Sequence, residues 1–352
     1  MLIGVRFLLS SYRSHIYSDP TTLVGLASLV HHPSTIQDID RLNQYGSKRR
    51  NLKMFKGKSY HLGYYQAFDG TERYGIVSDS PALTQCNVPD PNFSSPPDLT
   101  DQKKRFSLEP IHNIMILLVT GGLLGLIAAY HVNTADNGFE RFMDAQNFGP
   151  RFLLTIVGII IKSQWSRLER RSVVFAPFDT AISSTAAAEK TLLRSRTLVP
   201  MSTFFVSVAR GSFGPALMAF TALLAEALII ILPGIPFAAS QVYIASLSSR
   251  YICFGILSFM IVVLVIHIIT SLLGIGKNDA LPQDPNTLGA MMMYLAGTRV
   301  AEEVGDLGDA DGKEVKTSVR AWGKGRTVYM AKVNGVGGER WKLDFDDGMG
   351  HA

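Results

Sequence analysis

Two stretches of this chain are apolar for longer than the helix of a globular domain needs, and they constrain everything else it can do. A helix that crosses a hydrocarbon core of roughly 30 Å at 1.5 Å per residue needs about 20 predominantly apolar residues. Ile114 to Tyr130 (IMILLVTGGLLGLIAAY), lengthened by His112 and Val132, carries no charge, and Tyr251 to Ile275 carries only His267. Phe213 to Leu232 is also long enough; it holds Glu226 and stops at Pro233-Gly234-Ile235-Pro236. A fourth segment, Arg151 to Trp165, is uninterrupted only from Phe152 to Ile161, about 15 Å of helix. By itself that length suits a buried or interfacial helix. Lys162 snorkelling toward the headgroups, Trp165 at the interface and Arg151 at the other end would make it a tilted span over 151–168.

Charge agrees with a membrane setting. Only 18% of the residues are charged, against roughly 25% in soluble domains, and 47% belong to the apolar class. The net charge of +5 comes from clusters beside the apolar runs: Lys103-Lys104-Arg105, Arg167 with Arg170-Arg171, and Lys190, Arg194, Arg196 and Arg210. That placement is a membrane-flank pattern and argues against a nucleic-acid partner. Cys86 and Cys253 are too few for a disulfide framework. The opening MLIGVRFLLS is broken by Arg6 and lacks a small-residue cleavage site, so it does not read as a cleaved signal peptide.

The two ends of the chain resemble each other. Asp19-Pro20-Thr21-Thr22-Leu23-Val24-Gly25 matches Asp284-Pro285-Asn286-Thr287-Leu288-Gly289-Ala290, each an Asp-Pro followed by a polar cap and a short apolar helix. At a similar offset, Phe55-Lys56-Gly57-Lys58 leads into Tyr60 to Tyr65, a turn at Asp69-Gly70, and Glu72 to Ile76. Trp322-Gly323-Lys324-Gly325 leads into Val328 to Val333, a turn at Asn334-Gly335, and Glu339 to Leu343. Each reads as a helix plus a β-hairpin, too small for a large core, that packs against its copy or on the membrane surface. Homologous copies belong on one side of the bilayer, which requires an even number of crossings between them and favours 151–168 as a fourth span. The basic clusters and both termini are then cytosolic, with the acidic loop Val132 to Asn147 outside. The Asn-Phe-Ser sequon at Asn92 would lie on the wrong side for glycosylation.

Several stretches resemble a fungal membrane-protein family known as a domain of unknown function, DUF3433. They are Gly149-Pro150-Arg151-Phe152-Leu153-Leu154-Thr155-Ile156-Val157-Gly158 with Trp165, then Ala176-Pro177-Phe178, Asp284-Pro285-Asn286-Thr287-Leu288, and the closing hairpin with Trp341 and Asp344. The resemblance covers roughly 147–347 as one copy, with 1–80 similar to the tail of another. It implies a membrane architecture and carries no catalytic residues with it.

Chemistry-bearing motifs are scarce. The sequence has no phosphate-binding Gly-x4-Gly-Lys-Ser/Thr, no His-Glu-x2-His, no Gly-x-Ser-x-Gly and no Cys-x2-Cys. No catalytic, cofactor-binding or metal residues are assigned, and no cofactor is expected. His31-His32 with Asp38 reads as a solvated helix end. The remaining candidates are intramembrane. Glu226 should face protein or water or be protonated, with Ala219 and Ala222 on its helical face as a small-residue stripe for a neighbouring helix. His267 shares a face with Thr270 and Ser271. Their depths differ by about 11 Å at 1.5 Å per residue, too far for a hydrogen bond without an intervening water. Gly121-x3-Gly125 is a helix-packing motif.

The expected fold is an α-helical multi-pass membrane protein of three to four transmembrane helices with small α+β repeat modules at both ends. The divisions are a first tail module over 1–80, a Pro-rich linker over 81–111, a helix region over 112–275 (spans near 112–132, 151–168, 213–232 and 251–275), and a second tail module over 276–352. The expected partners are the lipid bilayer, a second copy of the chain, or another protein held through the tail modules. A structural or interaction role is favoured over a transporter or channel component working through Glu226, and an enzyme is disfavoured.

Overall fold

The structure is a computed structural model and describes residues 19–45, 58–67, 70–78, 109–132, 138–144, 148–183, 186–195, 199–236, 243–273, 285, 287–335 and 338–346. In chain order the elements are α1 (Leu23–Leu29), α2 (Pro33–Tyr45), β1 (Tyr60–Gln66), β2 (Glu72–Ser78), α3 (Glu109–Val132), α4 (Gly138–Asp144) and α5 (Phe148–Ser183). They continue with β3 (Ala186–Ala187), α6 (Ala188–Leu192), α7 (Pro200–Ala209), α8 (Phe213–Ile231) and α9 (Tyr243–Leu272). The last are α10 (Leu288–Leu295), α11 (Arg299–Val304), α12 (Gly312–Trp322), β4 (Thr327–Gly335) and β5 (Gly338–Asp346). Chain contacts divide these into two compact units, one of 1–102, 177–197 and 280–352, the other of 103–176 and 198–279.

The first unit is assembled from both ends of the chain. Helix α1 is buried along its whole length, and it packs against α10, α11 and the 3-10 turn Gly305–Leu307. Its amide ends are satisfied locally: Thr22 Oγ1 accepts from Gly25 N at 3.0 Å. Thr287 and Thr298 cap α10 and α11 in the same way, each at 3.2 Å from the amide three residues on. Strands β1 and β2 form an antiparallel hairpin from Tyr60↔Ser78 to Gln66↔Glu72. Strands β4 and β5 pair from Thr327↔Asp346 to Gly335↔Gly338. The strand pairing includes the expected turn residues Asn334 and Gly335, with Asn334 opposite Glu339 and Gly335 opposite Gly338. Gly70, in the first turn, has φ +78°, a conformation glycine adopts without cost.

Residues 177–197 belong to this unit as well, although they lie inside the helix region expected over 112–275, between its second and third spans. Ala186 and Ala187 pair with Val328 and Thr327, adding a short third strand to the second hairpin. Arg320 Nε reaches Glu189 Oε1 at 2.9 Å, and Phe178 lies 5.4 Å, centroid to centroid, from Tyr294. Two glycines allow close approach: a Cβ on Gly308 would sit 2.2 Å from the Tyr74 carbonyl oxygen, and one on Gly75 2.9 Å from that of Leu29.

The second unit is a helical bundle. Three of its segments, His112–Val132, Phe213–Gly234 and Ile244–Ser271, are long and apolar enough to cross a membrane. Ile127, Ile161, Trp165, Leu228, Leu257 and Met260 meet in one core with at most 1% of each exposed. The outward faces are apolar too, with Leu118 at 67%, Val262 at 55% and Ile230 at 81% exposed. An apolar exterior over an apolar core is the composition a helix bundle has in lipid.

Three helices depart from the sequence expectation. Helix α9 begins at Tyr243, not Tyr251; the Ser-rich segment between them stays helical because its hydroxyls return to backbone carbonyls, Ser248 and Ser249 to Ala245 and Ser246 to Ile235. Helix α5 extends past the expected end at 168, through Arg170-Arg171 and Pro177, to Ser183, about 54 Å in all. Helix α7, started by Pro200 at its first turn, was not anticipated. It is amphipathic in reverse: Thr203 and Ser207 are buried, while Met201, Phe205 and Val208 are exposed.

Candidate functional site

The polar groups of the bundle concentrate where α5 runs antiparallel to α8. Gly158 permits the approach, since a Cβ there would lie 3.3 Å from Ile229 Cα and 3.2 Å from Leu232 Cδ1. One turn along, Lys162 Nζ stands 3.4 Å from Glu226 Oε1. Four residues forward on α5 meet three residues back on α8, which fixes an antiparallel register. Trp165, 0% exposed, lies in the core that Ala225 and Leu228 of α8 share, and Ala219 and Ala222 are buried as well. Glu169 is 4% exposed, with Thr203 of α7 and Arg170 next to its carboxylate.

The carboxylate that the sequence singled out therefore has a cationic partner that the sequence assigned elsewhere. Lys162, expected to snorkel outward, reaches to Glu226. The pair is not enclosed: 39% of the Lys162 side chain and 45% of the Glu226 side chain remain exposed. His267 is half-buried on α9; its carbonyl accepts from Thr270 Oγ1 at 2.9 Å, and the charge acting on its ring is that of Arg171. Among the described residues no ion pair joins Glu226 to His267; the one at Glu226 is with Lys162. Gly121 and Gly125 of α3 face open space, with no atom within 4 Å of a built Cβ among the described residues, so the motif brings no other described helix of this chain close.

Outside the bundle, His31, His32 and Asp38 are not gathered into one site. Asp38, 5% exposed, forms an ion pair with Lys58 and accepts from Tyr60 Oη at 2.9 Å. Burial, and then the bond to Asp38, push the Tyr60 hydroxyl above its ordinary range. His32 Nδ1 lies 2.6 Å from Ser34 Oγ, a local contact at the start of α2. Burial, reinforced by the charge of His61, holds the His32 imidazole below its ordinary value. Among the described residues no three His, Cys, Asp or Glu side chains are placed to share a metal ion.

Glu169 escaped the sequence reading because it sits in the basic string from Arg167 to Arg171, which looks like a solvated turn. Its spacing is the signal: Gly158, Lys162, Trp165 and Glu169 recur at 4, 3 and 4 residues, one stripe of a helix. No curated protein and no solved structure matches the chain. Residues 148–237, the segment that contains this α5–α8 pairing, match the model of the family described as protein of unknown function (DUF3433).

Proposed function

We propose that this chain is a four-span integral membrane protein with a structural or interaction role, its folded ends forming one platform on a single face of the bilayer. The observation that carries the topology is the make-up of the first unit from 1–102, 177–197 and 280–352. One compact folded unit cannot be divided by a bilayer, so an even number of crossings separates each piece from the next. Between the first two pieces run α3 and α5, and between the last two run α8 and α9. If α3 crosses, α5 crosses with it, despite its charges. The basic residues Lys103, Lys104, Arg105 and Arg210 then lie on the platform side, which makes that side cytosolic. The matched Thr caps and hairpins of the two ends support an internal duplication, each copy supplying part of the shared platform.

The topology is tested by cysteine labelling in sealed membranes. Gln66→Cys and Glu314→Cys should label from the same side and Gly138→Cys from the other; Gln66 and Glu314 on opposite sides would end the proposal. Resistance to alkaline carbonate extraction tests membrane integration itself. The interaction role is tested by proximity labelling from the C-terminal tail, where a reproducible protein neighbour is expected.

One observation favours a second reading, proton-coupled transport. Glu226 beside Lys162, and the buried Glu169 beside Arg170, put two carboxylates with basic neighbours inside the bundle, groups that a proton relay could use. Purified protein in liposomes that moved a solute or protons, and lost this with Glu226→Gln, would replace the interaction reading.

A further inference from the structure

We propose that the α5–α8 face bearing Lys162 and Glu226 is an interface between two copies of this chain, in which Lys162 of each copy also bonds to Glu226 of the other. The proposal rests on the four-span reading. Within the apolar segment Phe213–Gly234, Glu226 stands about 12 Å from one end and about 20 Å from the other at 1.5 Å per residue. The pair is therefore deep in the hydrocarbon slab, yet about two fifths of each side chain is turned away from its own bundle.

An exposed ion pair at that depth is strongly disfavoured against lipid. An ammonium has three donors and a carboxylate about four acceptor sites, and the 3.4 Å contact engages one of each. What covers this face must offer an acceptor to Lys162 and a donor to Glu226 at the same depth. A lipid tail offers neither. A second copy offers both. Copies inserted with the same orientation are related by a twofold axis along the membrane normal, which preserves depth and exchanges sides. Lys162 and Glu226 are bonded and hence level, so the rotation sets lysine against glutamate twice. The surrounding surface suits a helix neighbour: Ile230, one turn from Glu226, is 81% exposed, and Ile159, three residues before Lys162, is 51% exposed.

The test uses the full chain in its membrane, with Cys86→Ser as background. Oxidative cross-linking of Ile230→Cys or Ile159→Cys should give a disulfide-linked dimer at least five times more abundant than that from Leu118→Cys. Leu118 is 67% exposed on α3, on the same face as Gly121 and Gly125. A stronger Leu118 dimer would place the contact on the glycine face and overturn the proposal. So would cross-linking of Ile230 only to a different protein, or no cross-link from either isoleucine position.

The charges are tested with differently tagged chains. Lys162→Glu alone and Glu226→Lys alone should each lose the Ile230 cross-link, because like charges then meet across the axis. Coexpressed, the two should recover it as the mixed dimer only, a rescue that the pair inside one copy cannot produce. If coexpression rescues nothing while the unsubstituted chain cross-links, the reciprocal bond is refuted. Absence of the isoleucine cross-links in chains that keep both Lys162 and Glu226, with carbonate resistance retained, sinks the dimer alone; carbonate extraction of the chain sinks the membrane reading beneath it.

Discussion

Replacing Gly25 with alanine should destabilise the folded ends of this protein, even though alanine occupies the matching position of the other end. Gly25 and Ala290 are both the third residue of a short helix, and both donate their amide to a threonine cap, Thr22 or Thr287. What fixes glycine at position 25 lies beside it. Thr22 draws the Asp19 carbonyl over the start of α1 through two bonds, from its amide at 3.2 Å and its hydroxyl at 2.9 Å. A Cβ on Gly25 would lie 2.0 Å from that oxygen. The carbonyl must retreat by more than 1 Å to reach an ordinary contact, on the order of 3.4 Å, and both bonds break.

Each such bond contributes about 1 kcal/mol net, and the better helix propensity of alanine returns up to about 1 kcal/mol. The expected loss is about 1–1.5 kcal/mol. For a unit of roughly 200 residues that lowers the unfolding midpoint by about 2–6 °C. Thermal unfolding of the detergent-purified chain, followed by far-UV circular dichroism, measures it. The control is Gly312→Ala, at the start of α12, where a Cβ meets nothing within 4 Å; its midpoint should hold or rise. A Gly25→Ala protein as stable as the parent would refute the claim that the Asp19 turn, and not helix propensity, fixes glycine there.

Three further outcomes are expected. Trp165→Ala, which empties a fully buried core position, should cost about 3–5 kcal/mol and broaden or abolish the cooperative transition of the bundle, read by thermal aggregation in detergent. Thr298→Ala removes the cap bond to Ala301 N and should cost about 1 kcal/mol, whereas Thr298→Ser should recover most of the midpoint. The imidazole of His32 is held below its ordinary value in the folded unit, by burial first and His61 second, so the unfolded chain binds the proton more readily. Its contribution is fully present above about pH 6.5, the unfolded value, and is lost as the pH falls toward the folded value. His32→Asn should accordingly shrink the midpoint difference between pH 7.5 and pH 5.5; an unchanged difference would count against this histidine.

Much of the architecture was legible because it depends on properties that neighbouring residues share. The uninterrupted apolar runs located α3, α8 and α9 to within a few residues, apart from the Ser-rich first turns of α9. There hydroxyls that usually signal a loop bond back to the helix. The threonine caps of α1 and α10 were readable from Asp-Pro followed by threonine. Helix α7 was missed because its ten residues, seven of them apolar or proline, lie just ahead of the next apolar span and look like its approach. Asn334-Gly335 was expected as a turn because Asn-Gly is a strong local turn signal, yet both residues are paired in the ladder, Asn334 with Glu339 and Gly335 with Gly338.

The sequence alone determined which segments cannot remain in water, since burying some twenty apolar residues is a local property of composition. It also identified Glu226 as a carboxylate in need of company. Only the tertiary structure decided who supplies it. Lys162 lies 64 positions away, and its choice between the headgroups and Glu226 depends on the antiparallel register of α5 and α8, which the absent side chain of Gly158 sets. The same holds for 177–197, whose two alanines join a hairpin that begins 140 residues later. Pairings of that kind are won by packing and hydrogen bonding across the fold, and no window of sequence contains both partners.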